Sequence, residues 1–246
     1  MVSITHYLGL QVNPHQLAIV LLCSTACLLT LTTFPTSSFS YLIRTDYRAE
    51  GAGTVSTTWL GNFGYCVATA FIDSKLDFAE DPVKCSMLSI GIDTNALTNE
   101  GTLPEWLVGA GRSSIVASGM TRSPAIMNPL AIILCLISIF AYRAIPSRPT
   151  GTMYVAAMGA SLTALLLLIL SLTGELLFAA YLNDFGNYGK TGDSEFTSSL
   201  GPAAYAIMLA ALAQAGACVV GFYTCIGGKY EREGWVRFEE EKTMDV

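Results

Sequence analysis

Four long apolar runs organise the chain: Leu17–Phe34, Met127–Ile145, Met153–Leu182 and Pro202–Ile226. A bilayer core of roughly 30 Å takes about 20 apolar residues of helix to cross, so each run is long enough for one span. The run ends carry helix punctuation. Pro35 stops the first run, Pro129 stands in the first turn expected of the second, and Pro202 opens the fourth, which Gly227 and Gly228 close. Proline is tolerated in a first helical turn because its missing N–H would be unpaired there anyway. The pattern predicts an all-α membrane protein, a four-helix bundle. A cleaved signal peptide is the alternative for the first run, but residues 1–16 hold neither Lys nor Arg. A retained span is therefore expected.

The short connections set an orientation. Residues 146–152 link the second and third spans and hold Arg148, with Arg143 just before them at the end of the second run and no acid nearby. Lys229 and Arg232 follow the fourth span, whereas residues 183–201 hold Asp184, Asp193 and Glu195 against Lys190. Basic residues stay on the cytosolic side. The N-terminus (1–16) and the tail (227–246) are thus expected in the cytosol, with 35–126 and 183–201 outside. Small residues recur at helical spacing, Ala156, Ala160 and Ala164 in one span and Ala213, Ala217 and Gly221 in another. Such stripes let helices approach closely in lipid, and a compact left-handed bundle is the expected product.

Composition agrees. Of 246 residues, 52% are hydrophobic and 13% charged, against about 25% charged in soluble domains. Mean hydropathy is +0.50. The net charge of −6 speaks against a nucleic-acid surface. Both histidines, His6 and His15, lie near the N-terminus, which leaves histidine metal sites and Ser-His catalysis poorly supplied. Cys23, Cys27, Cys135, Cys218 and Cys225 fall in or beside apolar runs and read as small buried apolar residues. Cys66 and Cys85 alone fall in polar sequence. They form a disulfide if that stretch faces an oxidising space, and otherwise remain two thiols.

The first connection is long enough for a small sheet. Tyr41–Tyr47 is rich in strand formers, Gly51-Ala-Gly53 is flexible, and Trp59, Gly61, Phe63 and Tyr65 alternate as along one strand with close backbone contacts at its glycines. At Gly61-Asn62-Phe63-Gly64-Tyr65-Cys66, with Cys85 following, the chain resembles the claudin superfamily. The motif of that group is Gly-Leu-Trp-x-x-Cys…Cys, and Phe63 stands in the tryptophan slot. The resemblance is closer to the fungal branch, with Gly-x-x-Gly-x-Cys. That branch includes the mating-factor-induced calcium-regulator and membrane-fusion proteins, with a Tyr-Leu segment like Tyr41-Leu42, and the eisosome and PalI-type pH-signalling proteins. The resemblance implies four spans, a disulfide-tied extracellular sheet, and a plasma-membrane protein acting in membrane organisation, cell fusion during mating or calcium influx. The Cys66-to-Cys85 spacing, longer than in vertebrate claudins, argues against a tight-junction role.

Glu175 is an acid inside a span, where charge is expensive and functional by default. It reads either as a brace hydrogen-bonded to Ser171, Thr173 or Gln214, or as a cation or proton site. Asp73, Asp77, Glu80 and Asp81 cluster between the loop cysteines. They lack the ordered spacing of a tight calcium site and read as a solvated acidic surface. Phe185–Thr191 ends in Gly-Lys-Thr, but Asp184 replaces the first glycine of a phosphate loop and no strand precedes it. Gly51-Ala-Gly53 lacks the third glycine of a dinucleotide loop, Ser56 standing there. The tail mixes acids and bases around Trp235, Val236 and Phe238, and Glu239-Glu-Glu241 would repel anionic lipid. No catalytic constellation and no cofactor site is visible, so an enzyme is not expected. The expected partners are membrane lipids, with lateral copies of the chain or other membrane proteins. A cation channel or transporter subunit is the competing class.

Overall fold

The structure is a computed structural model and describes residues 14–33, 41–48, 53–71, 83–86, 112–145, 151–188 and 195–244. Four helices carry it: α1 (Pro14–Thr33), α2 (Arg112–Ala144), α3 (Gly151–Tyr188) and α4 (Pro202–Met244). Each contains a stretch long and apolar enough to cross a membrane: Pro14–Thr33, Arg122–Ala144, Thr152–Asp184 and Pro202–Thr224.

What joins them is a repeat of buried positions spaced alternately three and four apart. On α3 the buried series runs Ala157, Ser161, Ala164, Leu168, Ser171, Glu175, Phe178 and Leu182; on α2 it runs Pro124, Asn128, Ala131, Cys135, Ser138 and Tyr142. On α1 it is Ala18, Leu22, Thr25, Leu29 and Thr32, and on α4 Ala203, Ile207, Ala210, Gln214, Ala217 and Gly221. A 3.5-residue repeat keeps one seam inward only if the helices coil left-handedly about each other. The helices form a ring, α1 and α3 each packing between α2 and α4. The opposite faces are apolar and exposed, with Val20, Leu31, Phe140, Val155, Leu166 and Leu212 pointing outward. A polar-seamed interior inside an apolar shell is the arrangement that suits lipid.

Several sequence expectations change here. Cys23 and Cys27 are exposed on α1 rather than buried, unlike Cys135 and Cys218. The α3 stripe is Ala157, Ser161 and Ala164 rather than Ala156, Ala160 and Ala164, because Ala156 is exposed and Ala160 half-buried; a chain rich in alanine offers several such stripes, and burial selects among them. Helix α2 starts at Arg112, ahead of the apolar run, and holds Pro124 and Pro129 inside it. Residues 112–121 precede the membrane-spanning stretch that starts at Arg122, yet they are helical. Helix α4 passes through Gly227 and Gly228 to Met244. A glycine costs a helix only about 1 kcal/mol, and the Glu, Arg and Lys residues beyond it are good helix formers.

Five antiparallel strands close one end of the bundle, in the order β4-β3-β2-β1-β5. They are β1 (Ile43–Arg48), β2 (Thr54–Gly61), β3 (Gly64–Phe71), β4 (Lys84–Cys85) and β5 (Glu195–Leu200). The last strand comes from the α3–α4 connection and pairs with β1, so both long connections build one sheet. Its bundle-facing side chains Ile43, Leu60, Tyr65, Val67 and Phe196 join Leu29, Ala131, Leu168, Phe178, Leu182 and Ile207 in one core. Gly201 makes the joint: its N–H donates to the Leu42 carbonyl at 2.7 Å, and a Cβ there would collide with Tyr41.

Candidate functional site

The loop motif folds as a hairpin, not as a single strand. β2 and β3 pair from Thr54↔Phe71 to Gly61↔Gly64, and Asn62 and Phe63 form the turn between them. Gly64 has φ 145°, a region open to glycine and closed to most side chains. The alternation of Trp59, Gly61, Phe63 and Tyr65 therefore runs through a reversal. Two-residue hairpin loops need just such glycine-rich chemistry, and the Asn62-Phe63 pair between Gly61 and Gly64 was the available signal.

The reversal puts Cys66 beside Trp59 on one neighbour and Cys85 on the other. Cys66 and Cys85 are disulfide-bonded, with 19 residues of separation. In the chain-entropy model a loop of this size contributes about 3 kcal/mol. The bond pins the short edge strand β4, and Ser86 just after it holds to β3: its N–H donates to the Tyr65 carbonyl at 2.8 Å and its hydroxyl accepts from the Tyr65 N–H at 2.9 Å. The register places Arg44, Asp46, Thr57, Trp59 and Cys66 on the sheet face turned away from the bundle. Arg44 and Asp46 form an ion pair at 3.1 Å, and the Thr57 hydroxyl donates to the same carboxylate at 2.6 Å. This face is a small polar platform carrying one tryptophan, suited to contact with another surface.

Two polar layers lie inside the bundle. The deeper one is centred on Gln214. Its Nε2 donates to the carbonyl and to the hydroxyl of Ser161, both at 2.9 Å, and its Oε1 accepts from the Cys135 thiol at 3.3 Å. Ser161 in turn meets the Cys218 sulfur at 3.2 Å. Helices α2, α3 and α4 are thereby tied at one level. The second layer, toward the sheet, is Glu175 with Ser171, whose hydroxyl donates to Oε1 at 3.3 Å, and with the Asn128 side chain against the carboxyl. Of the three partners open to Glu175 in the sequence, Ser171 is the one engaged; Thr173 bonds the Ile169 carbonyl and Gln214 serves the other layer. Ser161 and Ser171 are separated by about 15 Å along α3 at 1.5 Å per residue. Asn128 and Ser161 were not singled out in the sequence; a polar residue on the buried seam of a span was the signal that could have found both.

The acids Asp73, Asp77, Glu80 and Asp81, His6, and the Gly51-Ala52 pair lie outside the described residues, as do the side chains of Cys225, Phe185–Thr191 and the tail.

Four spanning helices, a small antiparallel sheet and a cross-strand disulfide together make a claudin-like fold. No curated protein matches the sequence. The model of the SUR7/PalI family matches residues 15–221. That match runs from the first helix, through every strand of the sheet and the Cys66–Cys85 bond, to the buried end of α4, and a chain carrying it over this length belongs to the SUR7/PalI family of multi-pass membrane proteins.

Proposed function

We propose that this protein organises the plasma membrane as a scaffold, sitting with both termini in the cytosol and the sheet outside. Membership of the SUR7/PalI family supports a membrane-organising or PalI-type role, and the branch of eisosome and PalI-type proteins is the closer fit to it. The orientation rests on the basic residues near the sheet-distal helix ends, Arg143 among them, and on the disulfide, which belongs in an oxidising space.

The observation that carries a scaffold over a conducting pore is the layer between the two polar levels. Leu29, Ala131, Leu168 and Ile207, one from each helix and all fully buried, close it with apolar side chains. The polar groups bond sideways, helix to helix, and do not line a continuous path. Function then falls to the outside of the body: the lipid-facing helix surfaces and the outward sheet platform.

Imaging of the tagged full-length chain in living cells tests this reading. The account expects stable plasma-membrane patches with slow fluorescence recovery. An even, rapidly exchanging distribution, or residence in internal membranes, would count against it. Purified protein in liposomes is expected to pass no sodium, potassium or calcium; clear flux would favour the channel class instead.

A further inference from the structure

The two edges of the sheet are built differently. β4 is two residues long, carries Lys84 and is tied down by the Cys66–Cys85 bond. A short strand and an edge lysine are devices by which natural sheets keep other chains from adding to them. β5, at the other edge, has neither. It runs six residues, Glu195–Leu200, with no Lys, Arg or Pro, and its one charge stands at the first position. It pairs residue for residue with β1 from Ile43↔Leu200 to Arg48↔Glu195, so no bulge turns it aside.

The register shows which groups lie on the open side. The Gly201 N–H donates to the Leu42 carbonyl, and along an antiparallel strand successive residues turn their amide groups to opposite sides. Thr197 and Ser199 therefore bond β1, whereas Ser198 and Leu200 turn N–H and C=O outward. Among the described residues nothing pairs with the backbone of either.

The strand is complementary to a copy of itself. With Ser198 opposite Ser198 of a second copy, Phe196 falls opposite Leu200 on the bundle-facing side and Thr197 opposite Ser199 on the outer side. Aromatic–aliphatic and hydroxyl–hydroxyl pairs are favourable across strands, and Glu195 meets Gly201 rather than a like charge. Identical edges joined antiparallel are related by a two-fold axis normal to the sheet. The sheet lies across the bundle end with one face packed on it. The axis therefore follows the bundle, and both copies cross the membrane in the same direction.

We propose that β5 pairs antiparallel with β5 of a second copy, centred on Ser198, and joins two sheets into one continuous sheet across a dimer. This inference rests on the scaffold reading, to which it supplies a lateral contact between copies.

The test uses the full-length chain in cells, with Thr197→Cys and Ser199→Cys placed on separate, differently tagged copies. Both positions are exposed. The pairing puts their Cα atoms about 4.5 Å apart, within disulfide reach. Two copies of the same variant set their cysteines diagonally, about 7–8 Å apart, beyond that reach. Mild oxidation should give a mixed disulfide dimer, and either variant alone should give no more dimer than the wild type, whose own cysteines set the background. Ser198→Pro removes an N–H that β1 does not use, so the fold should persist while light scattering in mild detergent changes from dimer to monomer. No mixed dimer above background would overturn the proposal, as would equal dimer from either cysteine variant alone or a folded Ser198→Pro chain that is still dimeric. If Ser198→Pro does not fold, the cysteine pair decides. Stable patches without the mixed disulfide would leave the scaffold standing and remove this contact; a mixed disulfide in an evenly spread protein would do the reverse.

Discussion

At the scale of single residues, the interior is tightest where α4 meets α2 and α3. A Cβ at Gly221 would collide with the Tyr142 hydroxyl and crowd the Met158 sulfur, while at Gly159 nothing lies within 4 Å. Gly221→Val must therefore displace two large side chains, at a cost of about 1–3 kcal/mol, whereas Gly159→Ala should be neutral or slightly stabilising. Thermal unfolding in detergent checks the pair, and equal midpoints for both variants would refute the packing argument. Gln214→Leu removes three hydrogen bonds at once, to Ser161 and from Cys135. Intramembrane bonds average about 0.6 kcal/mol each, so a loss of about 2 kcal/mol is expected in a denaturant titration. The sequence identified Glu175 and Gln214 as polar groups in lipid and offered Ser171 among three partners for Glu175, but it did not point to Asn128 or to Ser161. Pairing depends on how far each helix is turned and slid against its neighbours, and composition along one helix does not encode that.

Among the elements, the helices were legible and the sheet only partly so. Apolar runs of about 20 residues have few alternatives to spanning, so the four spans followed directly. Their true lengths did not, because α2 and α4 extend beyond the apolar runs into polar sequence that hydropathy ignores. The hairpin was hidden by its own regularity, since Trp59, Gly61, Phe63 and Tyr65 keep a period of two straight through the turn. β5 was invisible for another reason: Glu195–Leu200 gains its strand from pairing with β1, a partner distant in sequence. Two predictions belong at this scale. Gly64→Val forces a branched side chain into a backbone region it disfavours and should cost at least about 1 kcal/mol in the same assay. Cys66→Ser with Cys85→Ser should lower stability by about 3 kcal/mol without abolishing the four-helix bundle. Adding reductant should bring the wild type down to the double variant; a reductant effect that persists in the double variant would show that another bond is responsible.

The whole molecule is a ring of helices capped at one end by a sheet built from both long connections. That design fits the proposed topology, in which both connections and the disulfide share one side of the membrane and the start of α1 and the end of the α4 span share the other. It also leaves the outer surfaces for the proposed scaffold role, since the core is filled by side chains bonded across the bundle. The resemblance in the loop motif indicated this family from few residues, because a glycine-rich turn beside a paired cysteine is a structural necessity of the cap. The most direct test of the account is protease protection on intact cells, with one epitope tag at each terminus and a third inserted at residue 95, within the first long connection. The account predicts that the inserted tag is cleaved while both terminal tags stay protected until the membrane is opened. Cleavage of either terminal tag on intact cells, with the inserted tag protected, would contradict it.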